Sequence, residues 1–173
     1  LYTITAISSV VQVYAWFKFI LFIKQNKIEF LKNNSSLFRN IILFVGLCLS
    51  LKFLLQLGST IPALSKLAFG FRPIVIAYLH LILLAIISLF LLYYIMVNHF
   101  ILVTKKIKTG ISIFTFGVIL NEAVLAIQGI AAFSYTIIPK VNEMLFVAAI
   151  ILFLGMGFTS IQVLKKSKIN PLL

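Results

Sequence analysis

Two ionisable residues of opposite charge, Lys52 and Glu122, lie deep inside long apolar stretches of this sequence. Each follows the start of its stretch by about 12 residues, which on a helix is a depth of roughly 18 Å. Charged side chains at such a depth in a membrane are costly, and they commonly pair with each other or mark the path of an ion. Three alternatives follow: a structural ion pair between Lys52 and Glu122, a role in proton or ion movement, or no pairing at all.

One histidine, His80, also lies within an apolar stretch, seven residues after Pro73. An imidazole in a membrane can ligate haem or a metal, relay protons, or simply hydrogen-bond a neighbouring group. The only other histidine, His99, stands nineteen residues further along, roughly 28 Å away on a helix. The two cannot ligate one metal. Haem at His80 would therefore need an axial partner from outside this chain, or would be five-coordinate.

The remaining polar residues predicted to carry function are three amides and one arginine: Gln56, Asn121, Gln128 and Arg72. Gln56 lies one helical turn from Lys52, and the other two amides are seven residues apart, so the members of each pair share a helix face. We predict that the two glutamines and His80, with the arginine at the membrane boundary, line one polar pocket. The alternative is that each amide hydrogen-bonds a neighbouring helix, as polar residues often do in membrane bundles.

The motifs of soluble enzymes are missing from the sequence. It contains no CxxCH, no HExxH, no paired Cys and His spacing and no glycine-rich phosphate loop. Aspartate does not occur, which removes most mechanisms that need paired carboxylates. The lone thiol, Cys48, cannot form a disulfide within the chain and is expected to be a small packing residue. We therefore expect no enzymatic activity from this chain alone.

The composition identifies the surroundings of these residues. Of the 173 residues, 62% are hydrophobic and 10% are charged, whereas soluble domains have about 45–50% apolar and about 25% charged residues. Too few polar side chains remain to cover such an interior, and apolar runs of about 20 residues can each cross a bilayer. The sequence therefore predicts an all-α integral membrane bundle. Its net charge of +12 lies mainly in short connectors, which suits anionic lipid rather than nucleic acid.

We predict a single transmembrane domain over residues 1–173 with five spans, at about 1–23, 40–61, 73–97, 110–133 and 142–164. Thr109 and Asn142 are predicted to cap the last two spans. Pro73 is predicted to begin the third span, where its missing N–H costs nothing. Since the chain begins at Leu1, with no initiator methionine, we expect it to be a fragment of a longer protein.

Small residues on one helix face predict where helices approach closely. The predicted pairs are Gly46 with Ser50 in the second span, Gly110 with Gly117 in the fourth, and Ala148 with Gly155 in the fifth. Because a side chain of one or two heavy atoms lets two backbones come together, we expect neighbouring helices to pack against these positions.

The basic residues divide unequally between the two sides of a five-span bundle. Ten fall on one side: Lys24, Lys27, Lys32, Arg39, Lys105, Lys106, Lys108, Lys165, Lys166 and Lys168. Three fall on the other: Lys66, Arg72 and Lys140. Cytoplasmic connectors carry the excess of Lys and Arg. We therefore predict a multi-pass protein of the cell's inner (cytoplasmic) membrane, with its N-terminus outside and its C-terminus in the cytoplasm.

Three regions of the sequence resemble a known family: GSTIPAL at 58–64, FRPIVIAYLHL at 71–81, and LNE at 120–122 followed by IQG at 127–129. They resemble the C-terminal half of multi-span Bacteroidetes membrane proteins that are distantly similar to haem–copper oxidase subunit I and to NnrS-type proteins. The resemblance implies respiratory or nitrogen-oxide metabolism, with functional positions at His80, Arg72, Glu122 and Gln128. It also implies a histidine-rich helix in the N-terminal half, which this chain lacks.

Three functions are consistent with these residues. The first is a haem- or metal-associated membrane protein with His80 as a ligand. The second is a transporter or proton-conducting bundle that uses Lys52 and Glu122. The third is a structural or assembly subunit whose polar residues only hold helices together. In each case we expect the lipid bilayer as a partner, and further transmembrane helices from missing sequence or from other subunits.

Overall fold

The computed structural model of this chain describes residues 2–25 and 35–167, which are almost entirely helical. The elements in chain order are α1 (Tyr2–Gln25), α2 (Ser36–Gly58), α3 (Pro62–Gly70), α4 (Arg72–His80), a π-helical segment (Leu81–Ser88), α5 (Leu89–Val97), α6 (Lys105–Phe133) and α7 (Val141–Ser167). From α4 to α5 the chain runs on as one long helix, which we call the third span. Most of the connection predicted between the first two spans (26–34), with Lys27 and Lys32, and the tail with Lys168 lie outside the described residues.

Five helices of the described chain are long and apolar enough to cross a membrane, which confirms the predicted all-α bundle of five spans. They are α1, α2, the third span, α6 and α7. Successive spans are antiparallel: on α1, Trp16 bonds Ser50 of α2, whereas the earlier Ser9 lies beside the later Gln56. The N-terminal end of the bundle is the end that carries Tyr2, Gly58, Arg72, Phe133 and Val141, and the C-terminal end is the opposite one.

The second span begins and ends earlier in the chain than predicted. α2 ends at Gly58, three residues before the predicted limit, and a separate short helix, α3, begins at Pro62. A proline at the first helical position loses no hydrogen bond, because the N–H groups of the first turn have no partner within the helix. The stretch predicted as a plain connection is therefore largely helical. Pro73, predicted to begin the third span, is the second residue of α4, which begins at Arg72.

The predicted caps of the last two spans are wrong. α6 begins at Lys105, because the hydroxyl of Thr104 accepts a hydrogen bond of 3.3 Å from a backbone N–H of the first turn. Thr109 lies inside α6 and donates to the carbonyl of Lys105 at 3.1 Å. α7 begins at Val141, so that Asn142 is its second residue and not its cap. In both helices, therefore, the polar residue nearest the apolar run is not the residue at which the helix begins.

The spans pack in chain order. α1 packs on α2, α2 on the third span, the third span on α6, and α6 most extensively on α7. The buried core cluster combines residues of α2, the third span and α6: Phe38, Ile41, Val45, Cys48, Leu81, Ala85, Leu89, Tyr93, Met96, Ile107, Ile111, Phe114 and Val118. These three spans form the centre of the bundle, and α1 and α7 lie outside them.

The closest packing occurs between α6 and α7, through the small residues that the sequence indicates. A Cβ atom on Gly155 would lie only 2.5 Å from the backbone nitrogen of Phe114. On α6, a Cβ atom on Gly117 would lie 3.0 Å from the side chain of Leu152 of α7, and Ala148 of α7 is fully buried. The prediction of close approach is therefore confirmed for these two helices, since a larger side chain would push them apart.

A tryptophan, not a small-residue contact, joins α1 to α2. The Nε1 of Trp16 donates to the Oγ of Ser50 at 2.8 Å, and this hydroxyl donates in turn to the carbonyl of Gly46 at 2.8 Å. The Trp16 ring also lies 5.8 Å from the ring of Phe53. A Cβ atom on Gly46 would meet no atom within 4 Å, so the predicted close approach at this glycine does not occur.

The third span contains an unusual segment, the π-helix that begins directly after His80. Buried residues recur every four positions through it, at Leu81, Ala85, Leu89 and Tyr93. On an α-helix four residues turn through about 400°, so a stripe at this spacing drifts by about 40° with each step. The wider turn of a π-helix rotates less per residue. The segment therefore keeps the buried stripe directed at the neighbouring helices.

The outer surface of the bundle is apolar. Both outer helices expose large hydrophobic side chains along their length, among them Ile4, Val11 and Phe22 on α1 and Phe146, Phe153 and Ile161 on α7. Soluble monomers rarely expose apolar patches larger than a few hundred Å². These helices belong in lipid, and the protein is a multi-pass membrane protein.

Candidate functional site

Three titratable side chains from the three central spans lie at a similar depth. Cys48 precedes the end of α2 by ten residues, Glu122 precedes the end of the fourth span at Ala132 by ten, and His80 follows the start of the third span by eight. On helices these offsets place all three roughly 12–15 Å from the N-terminal end. We call this group, with the adjacent Asn121, the central polar layer.

Glu122 is the acidic member of the central polar layer. Its side chain is half-buried, and the amide of Asn121, itself only 7% exposed, donates a long hydrogen bond of 3.4 Å to Oε1. His80 and Cys48 lie within electrostatic range of the carboxyl group. In the part of the chain that the structure describes, this carboxyl forms no ion pair. Glu122 is therefore a site where a proton or a cation would find an acceptor at membrane depth.

His80, the last residue of α4, has one ring nitrogen whose lone pair is available to bind a proton or a metal. Its Nδ1 lies 2.9 Å from the carbonyl oxygen of Ile76, one turn earlier. Because a carbonyl oxygen only accepts hydrogen bonds, Nδ1 carries the proton in the neutral ring and Nε2 keeps its lone pair. The ring is exposed on the helix surface. This nitrogen can therefore take a proton or ligate a metal.

Lys52 does not pair with Glu122. Its Nζ donates to the Oε1 of Gln56 at 2.6 Å and lies 4.6 Å from the centre of the Phe53 ring. No ion pair joins Lys52 to Glu122 within residues 2–25 and 35–167. Because α2 ends at Gly58, Lys52 is only six residues, roughly 9 Å, from the end of its helix. The lysine therefore lies nearer a membrane boundary than the predicted depth of roughly 18 Å.

Gln128 lines a cavity of about 480 Å³ at the N-terminal end of the bundle. Its walls come from the start of α4, the last turns of α6 and the connection to α7. Lys140 and Glu143 also line it and form an exposed ion pair of 4.0 Å. Asn121 lies two turns below Gln128 on the same face of α6. Amide side chains therefore continue from this cavity toward the central polar layer.

Gln56 lines a different cavity, of about 230 Å³, between α1 and the end of α2. Its other lining residues are hydroxyl-bearing: Thr5, Ser9, Ser59 and Thr60. The two glutamines thus line separate cavities, and His80 belongs to the central polar layer. Arg72 is the exposed first residue of α4. The predicted single polar pocket is therefore replaced by two cavities and a polar layer.

Sequence reasoning missed two features of these sites. The expectation that Cys48 is a packing residue is confirmed, since it lies in the buried core cluster, but sequence reasoning did not place its thiol within electrostatic range of Glu122. It also passed over the hydroxyls of α1 because serine and threonine are unremarkable in membrane helices. Antiparallel packing of the first two spans would have indicated this cavity, because it aligns the start of α1 with the end of α2 and so brings Thr5 and Ser9 beside Gln56.

A metal site built from several side chains is not present in the described structure. Among the described residues, no three His, Cys, Asp or Glu side chains group in a way that could hold a metal ion. Haem needs as few as one protein ligand, so this finding does not bear on haem at His80. No protein-family model matches the sequence, and no curated protein or solved structure shows significant similarity to it.

Proposed function

We propose that this multi-pass membrane protein moves protons through its bundle, with Glu122 as the central proton acceptor. The observation that carries the proposal is a carboxyl group at membrane depth that forms no ion pair within the described chain. Ionisable residues at such positions are rare and characteristically belong to ion pathways and proton relays. Lys52, which binds Gln56 instead, takes no part in this step.

A route to Glu122 is available from the N-terminal end. The cavity of about 480 Å³ reaches Gln128, and Asn121 lies two turns deeper on the same face of α6. Each amide offers two N–H donors and an acceptor oxygen, which suits ordered water between them. On the third span, Nε2 of His80 provides a second proton acceptor within electrostatic range of Glu122.

Proton flux in liposomes tests this function. The purified chain is reconstituted with an internal pH-sensitive dye, and a potassium gradient with valinomycin drives proton entry. We expect flux above that of empty liposomes, and a loss of about tenfold or more in Glu122→Gln, since a general acid–base group contributes about 10²–10⁴-fold to a proton-transfer step. Glu29→Gln, the same change between the first two spans, is the matched control. Equal flux in Glu122→Gln and the native chain would refute the proposal.

A second function, haem binding at His80, is favoured by one specific observation. The hydrogen bond from Nδ1 to the carbonyl of Ile76 orients the ring and leaves Nε2 available, as the hydrogen bond of the other ring nitrogen does in metal-bound histidines. The resemblance to relatives of haem–copper oxidase subunit I and NnrS-type proteins supports the same function. When bound there, haem would supply redox chemistry, with any second axial ligand coming from outside this chain.

Visible absorption spectroscopy tests haem binding. The purified chain, with and without added haem, is expected to show a Soret band that His80→Ala abolishes. His99→Ala removes the other histidine, which lies exposed beyond α5, and is expected to keep the band. A chain that shows no Soret band after haem addition is not a haem protein. If flux is also absent, a structural or assembly role remains, in which polar residues only join helices.

A further inference from the structure

The cavity between α1 and the end of α2 lies at the boundary of the membrane. Thr5 and Ser9 stand in the first two turns of α1, and Ser59 and Thr60 directly follow the last residue of α2. The 24 residues of α1 span roughly 36 Å, more than the hydrocarbon core of about 30 Å. The first turns of α1 therefore reach the headgroup region, and the cavity opens where phospholipid headgroups lie.

One part of the cavity wall offers hydrogen-bond acceptors. The hydroxyl of Ser9 donates to the carbonyl of Ala6 at 2.8 Å, and Thr60 likewise donates to Leu57 at 2.7 Å. Ser59 donates to the carbonyl of its neighbour one turn earlier at 2.7 Å. Since each hydroxyl has one proton and two lone pairs, the lone pairs remain for a ligand. This part of the wall suits a group with several N–H donors.

The other part of the wall is the amide of Gln56, and Lys52, which does not itself line the cavity, lies directly beside this amide with its positive charge. The Oε1 of Gln56 accepts the hydrogen bond from Lys52, so the NH₂ of this amide is left to donate to a ligand. The ammonium of Lys52 has three protons, of which this bond uses one. Its position over the Phe53 ring, 4.6 Å from the centre, holds it in place beside Gln56. This part of the wall suits an anionic oxygen.

We propose that this cavity binds the headgroup of a phospholipid that carries a primary ammonium, such as phosphatidylethanolamine. The phosphodiester would face Gln56 and Lys52, and the ammonium would donate to the hydroxyls of Ser9, Ser59 and Thr60. A choline headgroup has no N–H to donate, and a glycerol headgroup has no cation. The site therefore distinguishes ethanolamine lipid from both, and it is independent of proton movement at Glu122.

Native mass spectrometry of the chain, released from detergent with equal amounts of phosphatidylethanolamine, phosphatidylcholine and phosphatidylglycerol, tests the proposal. We expect ethanolamine lipid to be retained about tenfold over the choline lipid, because only the ethanolamine ammonium has N–H groups to donate to the hydroxyls. Gln56→Leu should weaken the retention of all three lipids, because each carries the phosphodiester that faces Gln56. Gln162→Leu makes the same change at the C-terminal end of the bundle and should leave the retention of all three lipids unchanged. Equal retention of ethanolamine and choline lipid, or unchanged retention of all three lipids in Gln56→Leu, would overturn the site.

The single tryptophan gives a second measurement that does not depend on Gln56→Leu folding. Trp16 lies deeper on the same α1–α2 contact, bonded to Ser50. We expect its emission to shift when ethanolamine lipid replaces choline lipid in nanodiscs of otherwise equal composition, and Ser59→Ala with Thr60→Val to reduce the shift. Soluble phosphoethanolamine added to choline nanodiscs should have no effect at millimolar concentration. A response to the soluble compound alone would identify a soluble ligand and refute the lipid site.

Discussion

Glu122 and Lys52 differ in their distance from water, and this difference separates their roles. Glu122 is roughly 15 Å from the N-terminal end of its span, whereas Lys52 is roughly 9 Å from the end of α2 and has a flexible stem. The ammonium has an amide and an aromatic ring as partners, while the carboxyl has one long hydrogen bond from Asn121. The Glu122 carboxyl therefore has fewer stabilising contacts than the Lys52 ammonium, which favours Glu122 as the residue that binds and releases a proton.

Lys52 is expected to be coupled energetically to Gln56 and not to Glu122. In a double-mutant cycle with Lys52→Met and Gln56→Leu, the coupling free energy should be about 0.6–2 kcal/mol, typical of hydrogen bonds between polar groups in membrane helices. The cycle with Lys52→Met and Glu122→Gln should give a value within about 0.5 kcal/mol of zero, as for distant sites. Unfolding in mixed micelles measures both. A larger coupling free energy between Lys52 and Glu122 would show that the two residues do form an ion pair.

Among the secondary-structure elements, α6 and α7 pack most closely, because glycines at their contact have no side chain to keep the backbones apart. Gly155 lets the backbone of α7 come against Phe114, and Gly117 does the same for Leu152. In lipid, where association depends on close packing and not on the hydrophobic effect, such contacts decide which helices pair. The π-helical segment acts differently, by adjusting the rotation of the third span below His80.

Two glycines of α7 provide a matched test of this packing. Gly155→Ala should lower the free energy of unfolding by about 1–3 kcal/mol, because the new methyl group collides with the backbone of Phe114. Gly157→Ala should be neutral or stabilise by up to about 1 kcal/mol, since a Cβ there meets no atom within 4 Å and alanine favours helix. Unfolding in mixed micelles again provides the measurement. Equal effects of the two changes would show that α6 and α7 do not pack as described.

On the scale of the whole molecule, the two ends of the bundle differ in charge and in shape. Both described cavities open near the N-terminal end, which has few basic residues. The C-terminal end carries a larger set of basic residues, including Lys24, Arg39, Lys105 and Lys106. If this end faces the cytoplasm, as the distribution of basic residues predicts, then the cavities face the opposite compartment.

Labelling with a membrane-impermeant maleimide tests this orientation. In a Cys48→Ala background, Lys66→Cys on α3 should react in intact cells, because Lys66 is exposed at the N-terminal end. Lys106→Cys, the same change at an exposed lysine of the C-terminal end, should react only after the membrane is permeabilised. The reverse pattern of labelling would invert the predicted topology while leaving the five-helix bundle intact.

The sequence by itself determined that the protein is a five-span helical membrane bundle, and that Gly117, Ala148 and Gly155 lie in helix contacts. These properties follow from the length of apolar runs and from side-chain size, both of which are local. The helix ends were less predictable, because Thr104 and Pro62 compete with other polar or turn-forming residues nearby.

Only the tertiary structure decided which polar groups meet. A change of three residues in the end of α2 moves every side chain on it by roughly 4.5 Å in depth relative to the membrane boundary. Helix rotation then decides that Lys52, which bonds Gln56 on its own helix, does not pair with Glu122, while Glu122 lies within electrostatic range of His80 and Cys48. Depth and rotation depend on how five helices pack together, and no single stretch of sequence contains that information.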